Sequence, residues 1–175
     1  IADGVVHNSR AQVERFMPYT TAPIREMFER THIIEDDLDA FVARYDGPVD
    51  KFYISFLDEA ERNSAYARVK PLPYYITDAG FNDFEIMAPG VDKGAGLAQL
   101  AGLLGLMAAE VAAVGDSSND LPMLRCAGLS VAMGNASDAV RAAADVVVAD
   151  NEHGGMAEIL NRIAEGEFDE WASKA

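Results

Sequence analysis

The sequence predicts an α/β fold: a parallel sheet in the C-terminal part, preceded by a smaller α+β segment. Three observations predict it. From about residue 90 onward, short apolar runs alternate with stretches whose apolar residues recur every three or four positions. That alternation is the pattern of βαβ units with helices on the sheet faces. From about residue 20 to 88 the order is less regular, mixing strand-like and helix-like stretches. The composition, half hydrophobic and a quarter charged over 175 residues, is that of a globular chain long enough for one domain or a small domain with an insert.

The earlier segment reads as a helix over 35–45, a strand over 49–56, a helix over 58–70 and strands over 74–77 and 84–87. A hairpin loop at 78–83, Asp78-Ala79-Gly80-Phe81-Asn82-Asp83, joins the last two strands. In the later segment Leu97, Leu100, Leu103, Leu104 and Met107 share one helical face. The run 111–114, halted by Gly115-Asp116, reads as a buried strand. Pro122 suits the first turn of the next helix, where N–H groups are spare. A strand over 129–133, a helix over 137–144, a strand over 146–148 and a closing helix over 155–163 complete the pattern. The tail after Ala164 is acidic, with Trp171 as a candidate anchor.

Bulk charge excludes some functions. A formal net charge of −15 repels nucleic acid and anionic membranes, so neither is an expected partner. No apolar run is long enough to span a bilayer, and Ile1-Ala2-Asp3-Gly4 does not read as a signal peptide. Cys126 is the only cysteine, which rules out an intramolecular disulfide and fits a reducing cytoplasm.

The chemistry concentrates in Val114-Gly115-Asp116-Ser117-Ser118-Asn119-Asp120. One carboxylate lies just past a buried strand and a second lies four residues on, at the start of a helix. Ligands of open α/β sheets bind at that edge. Two carboxylates with hydroxyl and amide oxygens beside them suit Mg²⁺, which takes few carboxylates, several waters and a phosphate oxygen. The same two acids also suit plain helix capping, and spacing alone does not choose between the readings. Pro89-Gly90-Val91-Asp92-Lys93-Gly94 places a lysine at a helix start, able to reach a phosphate as a point charge or to stay a solvated surface group.

Taken together these pieces resemble the Cof-type branch of the haloacid dehalogenase-like superfamily. Glu85-Ile86-Met87 and Gly90-Val91-Asp92-Lys93-Gly94 resemble its return from cap to core. Gly115 to Asp120, with Met123-Leu124 just beyond, resembles its acidic metal motif. Ala127-Gly128 and Val131-Ala132-Met133-Gly134-Asn135-Ala136 resemble the family's next strand and its approach. Ala144-Asp145 and Asn151-Glu152-His153-Gly154-Gly155 resemble its last strand and loop. The match in order and spacing runs over roughly residues 84 to 160.

The resemblance implies a Rossmann-like core with an inserted α+β cap. It divides the chain into the end of an N-terminal core segment at 1–19, the cap at 20–88 and the C-terminal part of the core at 89–175. It implies Asp116 as a direct Mg²⁺ ligand and Asp120 as a ligand or support through water. Lys93 and Asn119 would hold the transferring phosphoryl group, and Asn151 would support the same phosphate-binding loops. The implied activity is Mg²⁺-dependent hydrolysis of a small phosphorylated metabolite, such as a sugar phosphate, through an aspartyl-phosphate.

The family's nucleophilic Asp-x-Asp would precede the segment that Ile1 resembles, and the expectation is that it lies outside these 175 residues. Without the strand that carries it, the strand at 111–114 would be an exposed sheet edge open to self-association. Asp37-Leu38-Asp39 has the right spacing but a short apolar lead-in and no Gly-Thr after it, and reads as an acidic helix start. A non-catalytic binding remnant and a phosphomutase of the same superfamily are the alternatives to a phosphatase. A receiver domain is set aside because its lysine comes after the acids, whereas Lys93 precedes Asp116. His7, His32 and His153 show no metal-ligand spacing.

Overall fold

The structure, a computed structural model, describes residues 1–78 and 82–169, apart from the side chain of Ala109. Residues 79–81 of the expected 78–83 hairpin loop, and Trp171, lie outside the described residues. The chain forms two compact units, Ile1–Ile76 with Gly80–Ala88, and Thr77–Ala79 with Pro89–Ala175.

The first unit opens with β1 (Val6–Ser9), α1 (Arg10–Phe16), α2 (Ala22–Thr31) and β2 (His32–Glu35), none of which is among the expected elements. β1 and β2 pair in parallel, with His7 opposite Ile33 and Ser9 opposite Glu35. The strands are held side by side partly by polar contacts: His7 Nδ1 meets Glu35 Oε1 at 2.8 Å, and Asn8 Nδ2 meets His32 Nδ1 at 2.6 Å. The helix expected over 35–45 is α3 (Leu38–Arg44), shortened at its start because 32–35 is strand. Asp37 caps it, accepting the Ala40 N–H at 2.9 Å, so the Asp37-Leu38-Asp39 spacing is a helix start.

β3 (Phe52–Ser55), α4 (Glu59–Val69), β4 (Tyr75–Thr77) and β5 (Asp83–Met87) come next, close to the expected bounds. β5 is the middle strand of a three-stranded sheet in the order β3-β5-β4, antiparallel to β3. Its Phe84 is fully buried, with the Phe56 and Tyr66 rings 5.4 and 5.8 Å away.

The second unit begins with α5 (Lys93–Leu103), capped by the Asp92 side chain at the Ala95 N–H. The helix stops before Gly105, whose φ of +74° is open to glycine and strained for other residues. β6 (Ala112–Gly115), α6 (Leu121–Cys126), β7 (Leu129–Ala132), α7 (Asp138–Ala143), β8 (Val146–Val147) and α8 (Gly155–Ala164) complete it. The strands form a parallel sheet, β6-β7-β8, with Val114 opposite Val131 and Ala132 opposite Val147.

Strand alternation divides the core of this unit. Ala113 and Ala132 pack with Leu124, Ala136 and Val140 on one face, while Leu129 and Val131 pack with Val148 and Ile159 on the other. Helices therefore cover both faces, as a parallel sheet requires. Among the described residues no helix is long and apolar enough to cross a membrane.

Candidate active site

All three strands of the second sheet run in the same direction, so their C-terminal ends share one edge. Asp116 lies just past β6, Met133-Gly134-Asn135 just past β7, and the 150–154 turn beyond β8. Four of the five expected site residues, Lys93, Asp116, Asn119 and Asp120, form one hydrogen-bonded group at this edge. The fifth, Asn151, joins through its backbone.

Asp120 is the buried member, 4% exposed. Its Oδ2 accepts the N–H groups of Asp116 at 2.9 Å and Ser117 at 3.0 Å, closing the turn from strand to helix. Its Oδ1 receives the Lys93 ammonium at 2.5 Å. Burial by itself raises a carboxyl's pKa. Here the hydrogen bond from Lys93, with those from Ser117 and Asp116, outweighs it and holds Asp120 below the ordinary carboxylate range.

Two glycines make this packing possible. A Cβ on Gly115 would lie 2.5 Å from Asp120 Cβ, and one on Gly94 would lie 2.7 Å from the Pro122 carbonyl oxygen. The first absence lets Asp120 fold back under β6; the second lets the start of α5, with Lys93, press against α6. The Lys93 ammonium also donates to Asn119 Oδ1 at 3.3 Å, so two of its three donors hold the 116–120 turn.

Asp116 is exposed. Its Oδ1 accepts the Ser117 hydroxyl at 3.1 Å, and its Oδ2 accepts the Asn135 amide at 3.2 Å. Asn135 Oδ1 in turn accepts the Asn151 N–H at 3.1 Å. Sequence reasoning assigned no role to Asn135. The available signal was its place just beyond β7, at the strand edge where the other candidates gather.

This donor set fits Mg²⁺ in one respect. Asp116 offers an exposed carboxylate held only by neutral side-chain donors, while Asp120 is buried, with one oxygen on an ammonium and the other on two backbone N–H groups. Among the described residues no three His, Cys, Asp or Glu side chains converge as a cage. A cation that retains waters and accepts substrate oxygens needs no such cage. His153 stands apart on the 150–154 turn, its Nδ1 2.5 Å from Asp150 Oδ1 and its side chain 74% exposed. That contact comes first among the causes that lower the Asp150 pKa.

The chain is 37% identical over 111 residues to the 5-amino-6-(5-phospho-D-ribitylamino)uracil phosphatase YcsE of Bacillus subtilis (strain 168), an overlap covering 63% of this chain and 45% of that protein. It thus spans about half the length of that relative. A haloacid dehalogenase-like hydrolase structure from B. subtilis superposes with a TM-score of 0.68 at 27% identity, over 75% of this chain and 47% of the other. A subclass IIB sugar phosphatase of the same superfamily shares the fold, with a TM-score of 0.70 at 21% identity over 94% and 59% of the two chains. The family model described as haloacid dehalogenase-like hydrolase matches residues 5–160. The chain therefore belongs to the haloacid dehalogenase-like hydrolase family, in the Cof-type branch that its motifs resemble.

Proposed function

We propose that this chain carries the metal- and phosphate-holding part of a Mg²⁺-dependent phosphatase that hydrolyses a small phosphorylated metabolite of the sugar phosphate class. The observation that carries the reading is the Lys93 ammonium held at once by Asp120 and Asn119, with the exposed Asp116 carboxylate on the same turn. The phosphatase relative supports the reaction class.

In this reading Lys93 turns its third donor to a phosphoryl oxygen, and Asn119 orients that group. Asp116 and Asp120 form the metal side, Asp116 directly and Asp120 by fixing the turn. Asn151 supports the adjoining phosphate-binding loop. When bound, Mg²⁺ supplies positive charge to the phosphoryl oxygens. Phosphoryl transfer depends chiefly on such alignment and charge neutralisation, and a surface with a formal charge of −15 supplies little of it elsewhere.

The nucleophilic aspartate comes from outside residues 1–175. Its carboxylate attacks phosphorus as the P–O ester bond breaks, and the departing alkoxide takes a proton from water to leave as the alcohol. Water then cleaves the aspartyl-phosphate and releases inorganic phosphate. Residues 20–88 serve as the substrate-selecting cap and 89–175 as core, in a reducing cytoplasm that suits the single Cys126 thiol.

The test is phosphate release from p-nitrophenyl phosphate and a sugar phosphate panel by the product of the complete open reading frame containing these residues. Turnover should require Mg²⁺ and fall by orders of magnitude in Asp116→Asn. Near-normal, magnesium-dependent turnover in that variant would remove Asp116 from the metal site. No phosphate release from any substrate would favour a binding role.

A further inference from the structure

We propose that Asn135 is a positioning residue for Asp116: its amide, together with the Ser117 hydroxyl, sets the plane in which the carboxylate meets a cation, and ties that plane to the loop carrying Asn151. The inference rests on the reading of Asp116 as the metal-binding carboxylate.

The orientation of the amide is set by its partners. A carboxylate only accepts and a backbone N–H only donates, so Nδ2 must face Asp116 Oδ2, at 3.2 Å, and Oδ1 must face the Asn151 N–H, at 3.1 Å. Reversing the amide would lose both bonds. Meanwhile Ser117 Oγ holds Asp116 Oδ1 at 3.1 Å. The carboxylate is thus gripped at both oxygens by neutral donors, which set its plane while leaving lone pairs for a cation.

The Asn135 backbone is itself braced. The Met133 N–H reaches the Gly115 carbonyl at 3.0 Å, and the Ser137 N–H reaches the Asp116 carbonyl at 3.3 Å. The Gly134 N–H reaches the Ala149 carbonyl at 3.1 Å. Arg141 Nη1 donates to the carbonyls of Gly134 at 3.2 Å and Ala136 at 2.6 Å. One side chain therefore joins the loops after β6, β7 and β8 from a fixed base. Groups that orient a metal ligand in this way typically change metal affinity by about ten-fold or more when removed.

The experiment is Mn²⁺ titration of the purified product of the complete reading frame, read by the loss of the free-ion electron paramagnetic resonance signal. Wild type would be compared with Asn135→Ala, Asn135→Gln and Asp116→Asn, each with a melting curve. Asn135→Ala should bind Mn²⁺ about ten-fold more weakly with an unchanged melting temperature, and Asn135→Gln should recover part of the loss. Should Asn135→Ala fail to fold, Asn135→Ser carries the same comparison. Unchanged Mn²⁺ affinity in Asn135→Ala, with binding lost in Asp116→Asn, would overturn the role of Asn135 and leave the proposed metal site intact. Unchanged affinity in Asp116→Asn, or no Mn²⁺ binding by wild type, would overturn the metal site and this inference with it.

Discussion

Lys93 and Asp120 meet at 2.5 Å across 27 residues of sequence, and they meet unequally: the lysine side chain is half exposed and the aspartate side chain is 6% exposed. The contact has two consequences. For Asp120 it is one of three donors that make a buried charge tolerable. For Lys93 it fixes an ammonium at the strand edge with one face still open to water.

Removing the Asp120 charge should therefore cost stability in a pH-dependent way. Its folded pKa lies below the ordinary value of 3.8. A depressed carboxyl pKa contributes stability that is fully present above the unfolded value and lost as pH falls through the folded one. Asp120→Asn should lower unfolding stability by about 2 kcal/mol near neutrality, as expected for charged hydrogen bonds lost from a buried acceptor. The gap to wild type should narrow below about pH 3.8, the ordinary value. Urea midpoints from pH 3 to 7 would show it, and a gap that widens on acidification would contradict the assignment.

Lys93→Met should behave in the opposite sense, with a small stability change and a large functional one. With the Lys93 side chain half exposed, solvent screens its end of the pair and the loss should be about 1 kcal/mol, since Asp120 keeps its two backbone donors. In the product of the complete reading frame, kcat should fall by about a hundred-fold or more if the ammonium stabilises transferring phosphoryl charge. Steady-state kinetics beside a urea melt separate the outcomes. A variant that is destabilised but catalytically normal would reduce Lys93 to a structural cation.

Much of this site was legible because its residues are consecutive or sit at strand and helix ends. Asp116, Asn119 and Asp120 share one turn, and Lys93 opens a helix behind an aspartate cap. The sheet around them was legible too, since strands buried on both faces read as apolar runs. The opening of the chain was not. α1 and α2 do carry apolar residues at helical spacing, Val13 and Phe16 in the first and Ile24, Met27 and Phe28 in the second, but each run is short and no residue of either helix is buried. β1 and β2 carry His7, Asn8, His32 and Glu35, whose contacts are polar pairs that alternation of hydrophobicity does not reveal. Asn135 stayed silent for a related reason: its role lies in two partners, 19 and 16 residues away.

In the first unit, Phe84→Ala should have the largest single effect on folding. The ring is fully buried on the middle strand, between Phe56 and Tyr66. Deleting it loses transfer energy and leaves a cavity, about 3–5 kcal/mol together. Limited proteolysis should then cut within residues 1–76 sooner than within 89–169. Equal protection of this segment in variant and wild type would show that Phe84 does not anchor its unit.

Gly115→Ala tests the turn most directly. The added methyl would lie 2.5 Å from Asp120 Cβ and 2.9 Å from both Cγ and Oδ2. The nearest of these atoms is fixed to the backbone, so a rotamer change cannot relieve the clash. The turn must open, and the bonds from the Asp116 and Ser117 N–H groups to Oδ2 must lengthen. A loss of about 2 kcal/mol is expected, in the range of overpacked cores, with weaker Mn²⁺ binding because the Asp116 backbone shifts with the turn. If the collision with Asp120 is the cause, Gly115→Ala should cost much less in an Asp120→Gly background, where no Cβ remains to meet it. Such a double-mutant cycle should give a coupling energy of about 1 kcal/mol or more. Additive losses would place the strain elsewhere in the strand.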